Sequence, residues 1–165
     1  MLIYQRDYII TDYLDEHVTI LNKEPRLKIV NGGKEALKQF QNICKIVYNG
    51  SHEKLVEFKN QISSEIRDKY NFVFSGLDFL EVNNKTIDKG IAVKRLSAIL
   101  NINMDNVYTI GDEENDLSML KWAGLGVAMA NGVAIAKETA DVVTSRTNEE
   151  SGVAEAVEKY ILQAK

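Results

Sequence analysis

Short apolar segments alternate with amphipathic segments along almost the whole chain. Compact apolar runs bounded by turn residues predict strands, and apolar positions spaced three and four residues apart predict helices. The predicted strands are residues 2–10, 27–30, 44–48, 71–75, 78–82, 106–110, 126–129 and 141–144. The predicted helices are residues 15–21, 34–43, 51–66, 88–100, 111–122, 133–138 and 148–162. Strands that alternate with helices over short connections predict parallel β-α-β units, and therefore an α/β fold.

The order of predicted strands and helices changes near residues 83–85. Before this point, the two strands around Ser75-Gly76 predict a hairpin, whereas after it strands and helices alternate more regularly. Pro25 is the only proline, so the chain has no long proline-rich linker. We therefore predict a smaller α/β domain over residues 1–83, joined by a short connection to a second domain over residues 84–165.

Composition narrows the class of protein without naming a function. Of 165 residues, 45% are hydrophobic and 27% charged, which is an ordinary balance for a globular protein with a core. No run approaches the roughly 18 apolar residues of a membrane helix. The net charge of −4 argues against a nucleic-acid partner. The single Cys44 cannot form a disulfide within the chain, so we expect a reducing, cytoplasmic location.

The most informative stretch is an acidic cluster after a predicted strand. The strand ends at Gly111, and four carboxylates and an amide follow within five residues, from Asp112 to Asp116. Ligands of open parallel sheets bind beyond the carboxyl ends of the strands, and clustered carboxylates there suit Mg²⁺. The alternative is helix capping by Asp112, with acidic residues in the first turn. Spacing alone favours capping, because such clusters are common at helix starts.

Further motifs near this cluster favour cation binding over helix capping. In order, the second half of the chain contains Gly111-Asp112-x-x-Asn115-Asp116, Gly124-Leu-Gly-Val-Ala-Met129-Ala-Asn131 and Ala140-Asp141-Val-Val-Thr144. This order resembles the C-terminal half of a haloacid dehalogenase (HAD) superfamily core. Asp88-Lys89-Gly90 resembles the lysine motif of the Cof-type (class IIB) branch, and Glu150-Ser-Gly152-Val153-Ala154 resembles its usual ending. The resemblance implies a partial HAD-like, Rossmann-like parallel core, preceded by a smaller α/β cap domain.

The resemblance also implies roles for particular residues. Asp112 would bind Mg²⁺, and Asp116 would support the metal site or pair with Lys89. Lys89 would neutralise the transferring phosphoryl group, while Asn115 and Asn131 would lie close to the phosphate. The implied activity is that of a Mg²⁺-dependent phosphatase acting on a small phosphorylated metabolite through a phospho-aspartyl intermediate. Without the resemblance, the sequence predicts that Lys89 is a solvated lysine at a helix start and that Asn131-Gly132 forms a plain turn.

One motif of the family is missing from the chain. The aspartate nucleophile belongs to an Asp-x-Asp-Gly-Thr motif, and the nearest imitation, Asp12 and Asp15, has the wrong spacing and no Gly-Thr after it. We therefore expect a chain that begins inside the cap, lacks the first core strands and is inactive alone.

Two alternatives to an active phosphatase stay open. The strand ending at Gly111 would expose an apolar parallel edge, through which the chain could form a homo-oligomer. A non-catalytic remnant that binds metal or phosphate, or assembles with a partner, is therefore the main alternative. The phosphorylation domain of a P-type cation pump shares part of the motif pattern, but the chain lacks that domain's Asp-Lys-Thr-Gly-Thr motif.

Overall fold

The computed structural model describes residues 1–11, 27–32, 35, 38 and 42–163. The chain divides into two compact units, Met1–Lys85 and Thr86–Lys165. The predicted helix at residues 15–21, most of the predicted helix at 34–43, and Asp12 lie outside the described residues. No helix within the described ranges is both long enough and apolar enough to cross a membrane.

The first unit contains a six-stranded mixed sheet. Its strands are β1 (Leu2–Gln5), β2 (Tyr8–Thr11), β3 (Lys28–Asn31), β4 (Lys45–Asn49), β5 (Tyr70–Gly76) and β6 (Phe79–Asn84), in the order β3-β2-β1-β4-β6-β5. Strands β2 and β3 are parallel, and the other neighbouring pairs are antiparallel. The hairpin predicted around Ser75-Gly76 is present as β5 and β6.

The single strand predicted over residues 2–10 is wrong, because the chain reverses between β1 and β2. Ile3 lies opposite Ile10, and both are buried on the same side of the sheet. The turn places Arg6 at φ +47°, a conformation that bulky residues seldom adopt. Asp7 is the turn's only turn-favouring residue, and the turn has no glycine or asparagine, so local sequence gives only a weak signal for it.

Two helices replace the one predicted over residues 51–66. They are α1 (His52–Gln61) and α2 (Ser64–Lys69), separated by Ile62 in an extended conformation. The Arg67 guanidinium donates hydrogen bonds to the carbonyl oxygens of Ile62 (3.0 Å) and Lys59 (2.6 Å). A cation in α2 therefore satisfies the carbonyls at the end of α1, which stabilises the break.

The second unit is built on three parallel strands with helices between them. Its elements are α3 (Lys89–Leu100), β7 (Tyr108–Gly111), α4 (Leu117–Trp122), β8 (Leu125–Ala128), α5 (Ala134–Thr139), β9 (Val142–Val143) and α6 (Gly152–Val157). Short 3₁₀ turns occur at Met104–Asn106 and Glu114–Asp116, and α6 continues as a π-helical turn at Glu158–Leu162. The strand order is β7-β8-β9. The parallel pairing confirms the predicted α/β class.

Helix α4 packs directly on β8. A Cβ atom added at Gly126 would lie 2.1 Å from the carbonyl oxygen of Leu120, so only glycine permits this approach. Helix α3, in contrast, leaves most of its predicted apolar face uncovered. Leu96, Ile99 and Leu100 are 56%, 80% and 56% exposed. The sequence pattern predicts a buried face there, and nothing in the described part of the chain covers it.

Candidate functional site

The candidate site lies in the second unit, where the carboxyl ends of its strands meet. Strand β7 ends at Gly111 and leads directly into Asp112, and β8 leads into the loop after Ala128. The Val133 amide donates to the Asp112 carbonyl oxygen (2.9 Å), and the Met129 amide donates to the Gly111 carbonyl oxygen (3.0 Å). These bonds hold the two loops side by side at one edge of the sheet.

Asp116 forms the buried centre of the acidic cluster. Its Oδ2 accepts hydrogen bonds from the backbone amides of Asp112 (2.9 Å) and Glu113 (3.1 Å). Its Oδ1 accepts a hydrogen bond from the ammonium of Lys89. A Cβ atom at Gly111 would lie 2.5 Å from the Asp116 Cβ, so glycine at the strand end makes room for this carboxylate. Both oxygens of Asp116 are therefore engaged within the protein.

Lys89 is the first residue of α3. Its Nζ donates to Asn115 Oδ1 (3.1 Å) as well as to Asp116, and its side chain remains 48% exposed. The predicted cap is confirmed, because Asp88 Oδ1 accepts a hydrogen bond from the Ile91 amide (2.7 Å). The structure thus brings together three of the residues singled out from the sequence and leaves about half of the lysine side chain exposed.

Asp112 lies close to Asp116 in the chain, but its carboxylate is not part of the same hydrogen-bond network. Its backbone is fixed by Val133, whereas its carboxylate accepts no hydrogen bond from the described residues. Within those residues, no three His, Cys, Asp or Glu side chains converge on a point that could hold a metal ion. Mg²⁺ commonly takes one or two protein carboxylates and completes its shell with water and phosphate. A single unengaged carboxylate at a strand end fits that pattern.

The charges around the cluster are unbalanced. Burial raises the pKa of Glu113, and the nearby carboxylates of Asp112, Asp116 and Glu114 raise it further. Lys89 acts in the opposite direction but does not cancel them. The loop therefore carries a surplus of negative charge, which a bound cation would relieve.

Asn131 lies in the loop after β8 and is exposed. Its Oδ1 accepts a hydrogen bond from the Asn148 amide (2.9 Å), which ties it to the loop before α6. The Gly132 amide donates to the Met129 carbonyl oxygen (2.8 Å), so the turn considered from the sequence is present. Since its oxygen is occupied, Asn131 has its amide N–H groups to offer to an anion.

Sequence reasoning missed Ser118, in the first turn of α4. Its hydroxyl donates to Asp88 Oδ1 (2.9 Å) and accepts a hydrogen bond from the Gly90 amide (2.9 Å). A serine in the first turn of a helix is ordinary, so the local sequence carries no signal for this bridge.

These observations define a class of protein. It is an α/β protein in which one lysine, several carboxylates and several amides, suited to binding a cation and an anion, lie at the carboxyl ends of the parallel strands. Comparison with known sequences gives the family. A sequence model of the haloacid dehalogenase-like hydrolase family matches residues 1–157, and the chain belongs to this family.

Several relatives support this assignment. The chain is 40% identical over 108 residues to 5-amino-6-(5-phospho-D-ribitylamino)uracil phosphatase YcsE of Bacillus subtilis, covering 64% of this chain and 43% of that protein. It is 29% identical over 160 residues to HMP-PP phosphatase of Yersinia enterocolitica, covering 96% and 58%. The chain therefore spans about half the length of the curated relatives it matches.

Solved structures confirm the fold. A haloacid dehalogenase-like hydrolase from Bacteroides thetaiotaomicron is 33% identical with a TM-score of 0.72, covering 95% of this chain and 59% of that chain. A haloacid dehalogenase-like hydrolase from B. subtilis is 26% identical with a TM-score of 0.79, covering 97% and 65%.

Proposed function

We propose that this chain supplies the cation- and phosphate-binding part of a Mg²⁺-dependent phosphatase site for a small phosphorylated metabolite. The observation that carries the proposal is that the Asp116 carboxylate accepts hydrogen bonds from both the Lys89 ammonium and the backbone amide of Asp112, while Asn115 also accepts from Lys89. The phosphatase names of its relatives support the same reaction class.

Each residue has a distinct task in this proposal. The ammonium of Lys89, whose side chain is half exposed, donates to phosphate oxygens and balances their charge. Asp116 positions Lys89, because both of its oxygens are already engaged; as a metal ligand it stays a prediction. Asp112 holds Mg²⁺, which when bound neutralises charge on the phosphate. Asn115 orients the lysine, and Asn131 donates its amide N–H groups to the anion.

The proposal separates binding from hydrolysis. A phospho-aspartyl route needs a nucleophilic aspartate, and no Asp-x-Asp-Gly-Thr sequence occurs in the 165 residues. We therefore propose that the chain alone binds phosphate and Mg²⁺ without turning over a phosphate ester. The cytoplasmic location also stays a prediction.

Calorimetric titration with inorganic phosphate, with and without MgCl₂, tests binding. We expect phosphate to bind when Mg²⁺ is present, and Asp112→Asn and Lys89→Met each to abolish this binding. Glu138→Gln, which removes an exposed carboxylate on α5, is the matched control and should bind as the parent does. Absence of phosphate binding by the parent chain would overturn the proposal.

Assay of p-nitrophenyl phosphate hydrolysis tests the second part. We expect no turnover above the blank. Mg²⁺-dependent turnover that Asp112→Asn abolishes would contradict inactivity of the isolated chain while supporting the phosphatase assignment.

A second candidate function, self-association, is favoured by the exposed surface of the second unit. Among the described strands only β8 pairs with β7, so the other edge of β7 lacks a strand partner. Leu96, Ile99, Leu100 and Ile102 expose 56%, 80%, 56% and 43% of their surface. We propose a second copy as the occupant, because a two-fold contact would bring two such edges and two such faces together.

The size of this surface sets the expected strength of the dimer. Four side chains supply less than the roughly 800 Å² per partner that a stable interface buries, so we expect a weak dimer. Sedimentation velocity over a concentration series should show a rising sedimentation coefficient that Ile99→Lys abolishes. Leu77→Lys, at a 74% exposed position in the first unit, is the control and should behave as the parent. A sedimentation coefficient independent of concentration would exclude self-association.

A further inference from the structure

One serine hydroxyl connects the residues on both sides of Lys89. Ser118 Oγ donates to the side chain of Asp88 (2.9 Å) and accepts from the backbone amide of Gly90 (2.9 Å). The residues before and after the lysine are therefore both attached to α4, which directly follows the turn containing Asn115 and Asp116.

Close packing reinforces this attachment. A Cβ atom at Gly90 would lie 2.7 Å from the carbonyl carbon and oxygen of Ser118 and 2.6 Å from a ring carbon of Trp122. The first turn of α3 thus rests on α4 with no intervening side chain. A shift of α3 along α4 would break the serine bridge and create a clash.

We propose that Ser118 and Asp88 are positioning residues that fix the backbone of Lys89, so that its ammonium stays on Asn115 and Asp116. A lysine side chain has a flexible four-carbon stem, and anchoring its backbone restricts the positions that Nζ can reach. The inference rests on the proposed function, because the reason to fix the Lys89 ammonium is that it binds phosphate. The positioning itself is measurable without phosphate.

The hydrogen bonds allow capping to be separated from positioning. Asp88 Oδ1 accepts from two donors, the Ile91 amide (2.7 Å) and the Ser118 hydroxyl. Ser118→Ala removes the hydroxyl but leaves the cap, so α3 still begins at Lys89. Ser118→Thr retains a hydroxyl and should restore the bridge.

Competitive acylation of lysines, read residue by residue by mass spectrometry, tests the proposal. The hydrogen bonds to Asn115 and Asp116 restrict how far the Lys89 ammonium can move toward an acylating reagent, and Lys137 in α5 is the internal reference. We expect Ser118→Ala to raise the relative rate at Lys89 by about threefold to tenfold, the equivalent of one hydrogen bond, and Ser118→Thr to restore it.

Ser97→Ala is the matched control on the same helix. Ser97 is buried and donates to the carbonyl oxygen of Ile102 at the far end of α3, so its loss loosens α3 without touching Lys89. An equal increase in Lys89 acylation in Ser97→Ala would show general loosening and overturn the proposal. No increase in Ser118→Ala would overturn it as well.

Two further measurements keep the outcome decisive. If Ser118→Ala fails to fold, Asp88→Asn weakens the same bridge and should raise Lys89 acylation in the same direction by a smaller factor. A folded Asp88→Asn protein with the parent's rate would overturn the proposal. Phosphate titration separates the two inferences: faster acylation in Ser118→Ala, together with no phosphate binding by the parent, would leave positioning intact and refute the proposed function.

Discussion

The ion pair between Lys89 and Asp116 should make a measurable contribution to the stability of the second unit. Lys89→Met removes the ammonium and keeps most of the apolar stem. It leaves the Asp116 carboxylate, whose side chain is only 5% exposed, with two backbone amides as its remaining donors. The folded state then holds a buried charge without its counterion.

The magnitude follows from burial and from the bonds that remain. Removing one partner of a fully buried pair costs about 3–5 kcal/mol. Lys89 is half exposed and Asp116 keeps two hydrogen bonds, so we expect a smaller loss of about 1–2 kcal/mol in the free energy of unfolding. Asp116→Ala also leaves the amides of Asp112 and Glu113 without that acceptor, and we expect it to cost about 3–4 kcal/mol.

Urea unfolding followed by tryptophan fluorescence measures these losses in the relevant unit, because Trp122 is the only tryptophan and ends α4. The double variant should lose less than the sum of the single losses, with a coupling free energy of about 1–2 kcal/mol. Lys121→Met, on the exposed surface of α4, is the control and should stay within about 0.5 kcal/mol of the parent. Additive losses would refute the ion pair as an energetic unit.

Three further outcomes can be measured. Gly126→Ala forces a Cβ to 2.1 Å from the Leu120 carbonyl oxygen, so we expect a loss of about 3 kcal/mol or more, or no folded protein, in the same urea experiment. Burial raises the pKa of Glu81, but the hydrogen bond and charge of Lys45, with two further side-chain hydrogen bonds, hold it below the ordinary value. The stability this gives is present at neutral pH and lost as acid protonates the carboxylate. An acid titration followed by circular dichroism should therefore show a shallower loss in Lys45→Met. Finally, MgCl₂ should raise the unfolding temperature of the parent but not of Asp112→Asn; an equal rise in both would place the cation elsewhere.

Local signals explain why the second unit was predicted well. The apolar run that ends at Gly111, the cap at Asp88 and the spacing of the strands are each encoded within a few residues. The hairpin of β1 and β2 has only a weak signal, because its turn lacks glycine and asparagine and has Asp7 alone to mark it. The break after α1 depends on Arg67, whose guanidinium reaches back five residues to Ile62.

In the site, too, neighbouring residues predict some features, and others depend on contacts between residues far apart in the sequence. Spacing alone could not choose between capping and cation binding for Asp112 to Asp116, since both use acids at a helix start. The structure assigns the capping to the side chains of Glu113 and Asp116, and leaves the Asp112 carboxylate without a hydrogen bond from the described residues. The contact from Lys89 to Asp116 spans 27 residues, so only a motif, and no periodicity, could indicate it.

The charge of the cluster bears on the order in which ligands bind. Four carboxylates follow Gly111 and one lysine faces them, so with all of them ionised the group carries four negative charges against one positive. A phosphate dianion that approaches such a group meets net repulsion. The pKa of Glu113 is raised by burial first and then by the neighbouring carboxylates, which is consistent with this repulsion. A divalent cation on Asp112 removes most of this repulsion, because it leaves one net negative charge in place of three. Because coupling between two ligands is reciprocal, phosphate should raise the affinity for Mg²⁺ by the factor by which Mg²⁺ raises that for phosphate. If neither ligand changes the affinity for the other, the two ligands do not share this site.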